Sequence, residues 1–195
     1  LAEKLHAPEL PDGAEAREEH LSSDRAKSIL STLDQYHYAS PRHAMMTLLW
    51  YTGMRRSALR AIDADDLRPD DNALVVKNRP DEGTKLKNGD DGERWVYLGP
   101  IHYQVIEDSL EHPERNDVTD DFGREPLLTT RAGRPTGDTI YVRVNRATQP
   151  CQYGECPHDV DPEKCDALGA DGYPSKCPSA YGHHAVRRGS ITYHL

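Results

Sequence analysis

Two short segments of this chain carry residue types suited to work on a phosphate ester. Thr52-Gly53-Met54-Arg55-Arg56-Ser57-Ala58-Leu59-Arg60 sets an arginine just past a glycine that closes an apolar run. His184-Ala185-Val186-Arg187 sets an imidazole and a guanidinium three residues apart. On a helix that spacing is one turn, so both side chains leave from the same face. An arginine grips non-bridging phosphate oxygens as a two-pronged fork, and fixed cations meet the charge that builds in the transition state. A histidine beside them can move a proton near neutral pH. Such a set supports phosphoryl transfer if the fold brings Arg55 and Arg187 together across the 132 positions that separate them.

The elements that must do this are mostly helical. Leu21 to Leu30 reads as a first helix capped by Ser22 or Ser23, and Ser40 to Tyr51 as a second with Gly53 as its C-cap. Ser57 to Ile62 opens a third directly after Arg55. Ile101 to Glu111 and Thr136 to Ala147 are amphipathic, and His184 to Leu195 forms the last helix. Strand signals occur only in the middle. Asn72 to Lys77 is a short β-prone run, and Thr84 to Lys87 and Glu93 to Leu98 flank Asn88-Gly89-Asp90-Asp91-Gly92, a hairpin signal.

In this order and at this separation, the two segments resemble the arginine boxes of the tyrosine site-specific recombinases, the phage-integrase family. The resemblance runs from about Leu21 to the end. It implies an α+β, mainly helical catalytic core with a small three-stranded antiparallel sheet, truncated at its C-terminus. Residues 1–20 then read as a linker from an absent N-terminal DNA-binding domain, and 21–195 as an incomplete catalytic domain. The resemblance further implies that Arg55 and Arg187 hold the phosphate, that His184 serves proton transfer and phosphate binding, and that a hairpin lysine protonates the leaving 5′ oxygen. Lys87 fits the family spacing better; Lys85 shares its face and stays open. Arg56, Lys85, Arg131, Arg134, Arg143, Arg146 and Arg188 fall where the family faces DNA, although helix solubility explains the spaced pairs equally well.

Three positions depart from the pattern. Ala58 stands where the family has an acid that orients the first arginine. Arg188 follows the second box where histidine is frequent. The nucleophilic tyrosine of the family lies some thirty residues past the His-x-x-Arg box, beyond Leu195; Tyr181 and Tyr193 are too near that box. The implied protein cleaves and rejoins double-stranded DNA through a 3′-phosphotyrosyl link as an oligomer, a tetrameric synapse in the family, with no cofactor for catalysis. The chain as given is then inactive by itself. A type IB topoisomerase-like enzyme and a catalytically inactive DNA-binding module of the same fold are the alternatives.

Charge points elsewhere at first. Acids outnumber bases 33 to 24, giving a net charge of −9, and 20 of the acids are Asp while only 7 of the bases are Lys. At ordinary salt this balance argues against nucleic acid. Asp abundance with Lys scarcity resembles proteins of salt-accumulating microorganisms, the halophilic archaea among them. At molar salt counterion release contributes little to DNA binding, so affinity must rest on close arginine contacts. The pairs Asp65-Asp66, Asp70-Asp71, Asp90-Asp91 and Asp120-Asp121 read as a solvated acidic surface rather than a two-metal nuclease site. No apolar run is long enough to cross a membrane, and the expected compartment is the cytoplasm.

Cys151, Cys156, Cys165 and Cys177 crowd into an insert, residues 150–178, rich in Pro, Gly and Asp. A loop of that length needs something to order it. Four thiolates on a structural Zn²⁺ is the first reading, with His158 or His183 as substitutes for one cysteine; disulfides and free thiols are the others.

Overall fold

A computed structural model describes residues 19–169 and 172–194. The linker expected over 1–20 lies almost wholly outside the described residues.

Helix α1, Ser23–Tyr36, begins where the Ser22 side chain accepts a hydrogen bond from the Arg25 amide at 3.4 Å. Its buried residues Ala26, Ile29, Leu30 and Leu33 recur at helical spacing and form one stripe. Helix α2, Pro41–Thr52, starts at Ser40, whose hydroxyl accepts from the His43 amide at 3.2 Å, with Pro41 in the first turn. Every residue from His43 to Trp50 is buried, because α1, the helix after the sheet and the last helix all pack around α2. Gly53 ends it with φ +56°, a left-handed conformation that side chains disfavour. The chain reverses there and enters α3, Arg56–Ala61, so Arg55 is the residue preceding the first turn.

The sheet is antiparallel in the order β1-β2-β3: Leu67–Arg68, Ala73–Val76 and Arg94–Tyr97. Leu74 pairs with Leu67 on one side and Val96 on the other. This corrects the expected strands in two places. Leu67–Arg68 supplies the first strand, and Thr84 to Lys87 forms none. Between β2 and β3 the Asn78 side chain accepts from the Leu86 amide at 2.8 Å and donates to Asp90 at 2.7 Å. Those side-chain bonds, with 3-10 turns at Pro80–Glu82 and Gly89–Gly92, replace a strand ladder. Leu86 is buried while Lys85 and Lys87 are exposed on either side of it.

Helix α4 spans Gly99–Asp108 and α5 Gly137–Ala147, with the Thr136 hydroxyl capping α5. Helix α6 spans His183–His194 and lies along α2; Leu195 is outside the described residues. Two contacts fix α6. A Cβ on Gly189 would collide with the Leu21 carbonyl, so only glycine permits that approach. Ser190 donates to the Trp50 carbonyl at 2.5 Å.

Under the sheet lies a buried ionic network. Asp66, 0% exposed, receives Arg79 through both carboxylate oxygens at 2.7 and 3.0 Å and Lys77 at 2.7 Å. Asp63 receives Arg79 and Arg134, and Asp120 receives Arg134 at 2.8 Å and Arg124 at 3.3 Å. Burial alone would raise the carboxyl pKa values, but the Arg79 and Lys77 bonds hold Asp66 below its ordinary range, and those from Arg134 and Arg124 hold Asp120 at about 2. A wholly solvated acidic surface is therefore wrong for one member of two of the pairs. Asp66 and Asp120 face inward because fixed arginines wait there.

Candidate phosphate-binding site

The fold places the two boxes side by side. Arg55 leaves from the turn after α2, and His184 and Arg187 leave from one face of α6. The Arg187 guanidinium pKa is pushed down first by burial and then by its neighbours Arg55 and Arg94. His184 is lowered by burial and by Arg188, Arg56, Lys87 and Arg187. These mutual effects bring Arg55, Lys87, His184 and Arg187 into one electrostatic neighbourhood. Lys87 lines a concavity with Arg55, Ser57, Ala58, Asn88 and Arg94, which Lys85 does not reach.

Two features define what this neighbourhood can hold. Neither Arg55 nor Arg187 donates a hydrogen bond or enters an ion pair among the described residues. No carboxylate is among the groups acting on His184, Arg187 or Arg94, and none lines the concavity. Like charges held together without a counterion repel one another, and an anion placed among them removes that repulsion. Ala58 contributes to this state. It is buried at the rim, and no acid braces Arg55 from its position.

Arg94 is the residue that sequence reasoning missed. It opens β3, donates to the Gly92 carbonyl at 2.8 Å, and its pKa is lowered by burial and then by Arg55. The available signal was its position just past the hairpin that carries Lys87. His183, beside His184 with ring centroids 4.0 Å apart, is lowered to about 4 by burial, by His184 and by Arg56. It is a neutral packing residue of α6 and stands apart from the cysteine insert.

The arginines expected to face DNA divide into groups. Arg134 is a correction: its side chain is 4% exposed and donates to Asp63, Asp120 and the Arg60 and Ile62 carbonyls. A guanidinium saturated in this way is a strut of the ionic network. Arg56 donates to the Gly137 carbonyl at 3.1 Å and tethers α3 to α5, an internal link its sequence position did not announce. Arg131 and Lys85 are exposed, and Arg188 is half-buried beside His184. Arg143 and Arg146 line a separate cleft of about 240 Å³ with Arg42 and Glu114. Tyr181 lies under the Arg25 guanidinium, and Tyr193 packs on Trp50 under Lys27. Each ring thus packs beneath a basic side chain of α1.

Cys151, Cys156, Cys165 and Cys177 are half-buried free thiols. All four, with His158, line one cavity of about 350 Å³. No three His, Cys, Asp or Glu side chains among the described residues are placed to hold a metal ion together.

Comparison with known proteins bears on the fold. No protein-family model matches the sequence, and no curated protein sequence matches it. Solved structures do match. The chain is similar to XerA recombinase, with a TM-score of 0.58 and 16% identity, over 96% of this chain and 52% of that one. It is similar to the Tn1549 transposon integrase in complex with circular intermediate DNA, with a TM-score of 0.60 and 17% identity, over 94% of this chain and 54% of that one. A lambda integrase tetramer bound to a Holliday junction matches with a TM-score of 0.53 and 16% identity, over 92% of this chain and 43% of that one. The chain thus spans about half the length of the solved proteins it resembles. Its fold is that of tyrosine-recombinase catalytic domains, and among the described residues no helix is long and apolar enough to cross a membrane.

Proposed function

We propose that this chain is the phosphate-binding part of a site-specific DNA recombinase or integrase that breaks and rejoins DNA through a 3′-phosphotyrosyl intermediate. One observation carries the reading: Arg55 and Arg187 come from distant segments, neighbour each other and have no acidic partner. The recombinase fold supports it.

In the proposed reaction a tyrosine oxygen attacks the DNA phosphorus, and the bond to the 5′ oxygen breaks. Arg55 and Arg187 fork the non-bridging oxygens and stabilise the charge gathered there. Lys87 gives its proton to the departing 5′ oxygen. His184, whose charged form is disfavoured by burial and then by its cationic neighbours, binds the phosphate and relays a proton. The phosphotyrosyl bond conserves the energy of the broken ester, so rejoining by a 5′ hydroxyl needs no nucleotide. The resemblance puts the attacking tyrosine further past the His184–Arg187 box than Tyr193, and the Tyr181 and Tyr193 rings pack against Arg25 and Trp50. The solved relatives include one bound to circular intermediate DNA and a tetramer on a Holliday junction. By analogy the partners here are duplex DNA and further copies of the same protein. The acidic, lysine-poor surface fits a protein that works at high salt.

The test is a nicked suicide duplex carrying the target site, incubated with a protein extended past Leu195. A covalent adduct linked through a tyrosine to a 3′ phosphate supports the reading. Tight, site-selective binding with no adduct supports instead a DNA-binding module that kept the fold, a reading that Ala58 favours because Arg55 lacks its acidic brace.

A further inference from the structure

We propose that Cys151, Cys156, Cys165 and Cys177 bind one structural Zn²⁺ as four thiolates, with the His158 imidazole beside them. This inference is independent of the recombinase reading, and none of its tests involves DNA.

The insert has little apolar material with which to order itself; among the described residues between Cys151 and Cys177, those buried are Ala167 and Pro174. Its backbone is nevertheless organised around the cysteines. Cys151 sits inside the 3-10 turn Pro150–Gln152. Cys165 and Cys177 each immediately follow a proline-led turn, Pro162–Lys164 and Pro174–Lys176, so the same Pro-x-Lys-Cys unit occurs twice with the same local fold. In both units a lysine precedes the thiol, and both lysines line the cavity that the four cysteines share. Four thiolates on a divalent cation carry a net charge of about −2. Lys176 is paired with Asp166 at 3.0 Å and Lys164 with Asp161 at 3.6 Å, so the His158 imidazole is the polar group left to face that charge.

Two buried polar atoms point to the same place. Gln149 Oε1 and His158 Nε2 have no hydrogen-bond partner, and both residues line this cavity. Gln149 is 1% exposed and already fixed at its other end, where Nε2 donates to the Ala167 carbonyl at 2.9 Å. Polar atoms buried without partners are unfavourable, and a polar centre filling the cavity relieves them. The four sulfurs and His158 line a single cavity, and tetrahedral ligation sets each sulfur about 2.3 Å from a common point. Each ligating thiol gives up its proton to solvent as its bond to zinc forms, with no change of oxidation state.

Metal binding has a consequence for the neighbouring segment. Arg25 already reaches the Ser179 carbonyl at 2.6 Å, and Thr148 receives the Tyr181 amide at 2.8 Å. The chain from Cys177 to α6 is thus tied to the body on one side and to the metal on the other, seven residues before His184.

The test uses the 195-residue protein purified without chelator. Elemental analysis is expected to give one zinc per chain. Replacement by Co²⁺ should give the intense visible bands of a tetrahedral site and sulfur-to-metal charge transfer of four thiolates. All four cysteines should resist alkylation until a chelator is added. Cys156→Ser and Cys165→Ser should each lose metal, whereas His158→Gln should keep the four-sulfur spectrum because His158 is not a ligand. If the serine variants fail to fold, the cobalt spectrum and thiol protection of the unmodified protein still decide. Absence of metal with all four thiols alkylated freely overturns the proposal. So do two disulfides on peptide mapping, or a cobalt spectrum with fewer than four sulfurs.

Discussion

Ser190 donates its hydroxyl proton to the Trp50 carbonyl at 2.5 Å and thereby joins the two arginine boxes. Ser190 lies one turn past Arg187 on α6, and Trp50 lies in the last turn of α2, just before the chain reverses at Gly53 and delivers Arg55. One hydrogen bond between helices, backed by the close approach of Gly189 to Leu21, sets where the two guanidinium groups stand relative to each other.

Gly189→Ala should therefore do more than lower stability. The added methyl cannot be accommodated against the Leu21 carbonyl without moving α6. Overpacking of this kind costs about 1–3 kcal/mol, measurable as a lower denaturation midpoint in urea. The same shift should weaken anion binding at the Arg55–Arg187 site. A variant as stable as the parent would show that α6 is less tightly seated.

Asp66→Ala tests the ionic network. It removes the fully buried carboxylate bound through both oxygens to Arg79, and although Arg79 keeps Asp63 at 3.2 Å, breaking a buried pair costs on the order of 3 kcal/mol. Half-exposed Lys77 adds little, since water screens it. Acid should act on the same elements. The folded pKa of Asp120, about 2, lies below its ordinary 3.8, so its contribution is complete above pH 4 and disappears as pH falls toward 2. His183, at about 4 against 6.5, likewise contributes fully above pH 6.5 and progressively less down to pH 4. Asp120→Asn should flatten the acid limb of the stability curve; an unchanged limb would remove Asp120 from the account.

Much of this arrangement is legible in the sequence, and the rest fails for identifiable reasons. Ser22, Ser40, Gly53 and Thr136 mark helix ends because each satisfies a terminal backbone group locally. The strand Leu67–Arg68 is only two residues long and exists because Leu74 pairs with it, a long-range fact without a local signature. Thr84 to Lys87 has strand composition, but the Asn78 amide captures Leu86 and holds the segment as a loop. Arg134 looks like Arg131 in sequence. Only the inward turn of Asp63 and Asp120 separates the buried strut from the exposed arginine. Arg94 was hidden by its place in a strand, where alternation describes packing and says nothing of the neighbour Arg55.

His184 should titrate below 6.5 in the free protein, because burial and the cations Arg188, Arg56, Lys87 and Arg187 disfavour its charged form. Inorganic phosphate bound among those cations should raise it. Proton NMR of the histidine ring with and without phosphate measures both values. A pKa that is unmoved by phosphate would mean that the anion binds elsewhere.

Arg94→Ala should weaken phosphate binding at this site while leaving the fold intact, since its one hydrogen bond is to Gly92 in its own loop. Isothermal titration with phosphate at low salt checks it, and affinity equal to the parent's would restrict the site to the two boxes. Arg131→Ala, on an exposed turn, is the matched control.

The central claim is that Arg55 and Arg187 hold one scissile phosphate. Its most direct measurement is the rate of covalent adduct formation on a nicked duplex by a protein extended past Leu195, comparing the parent with Arg187→Ala and Arg187→Lys. Both variants should slow the adduct by on the order of 10²–10³-fold while binding the duplex nearly as well, lysine failing because a point charge cannot reproduce the fork. Adduct formation at the parent's rate by either variant would contradict the account.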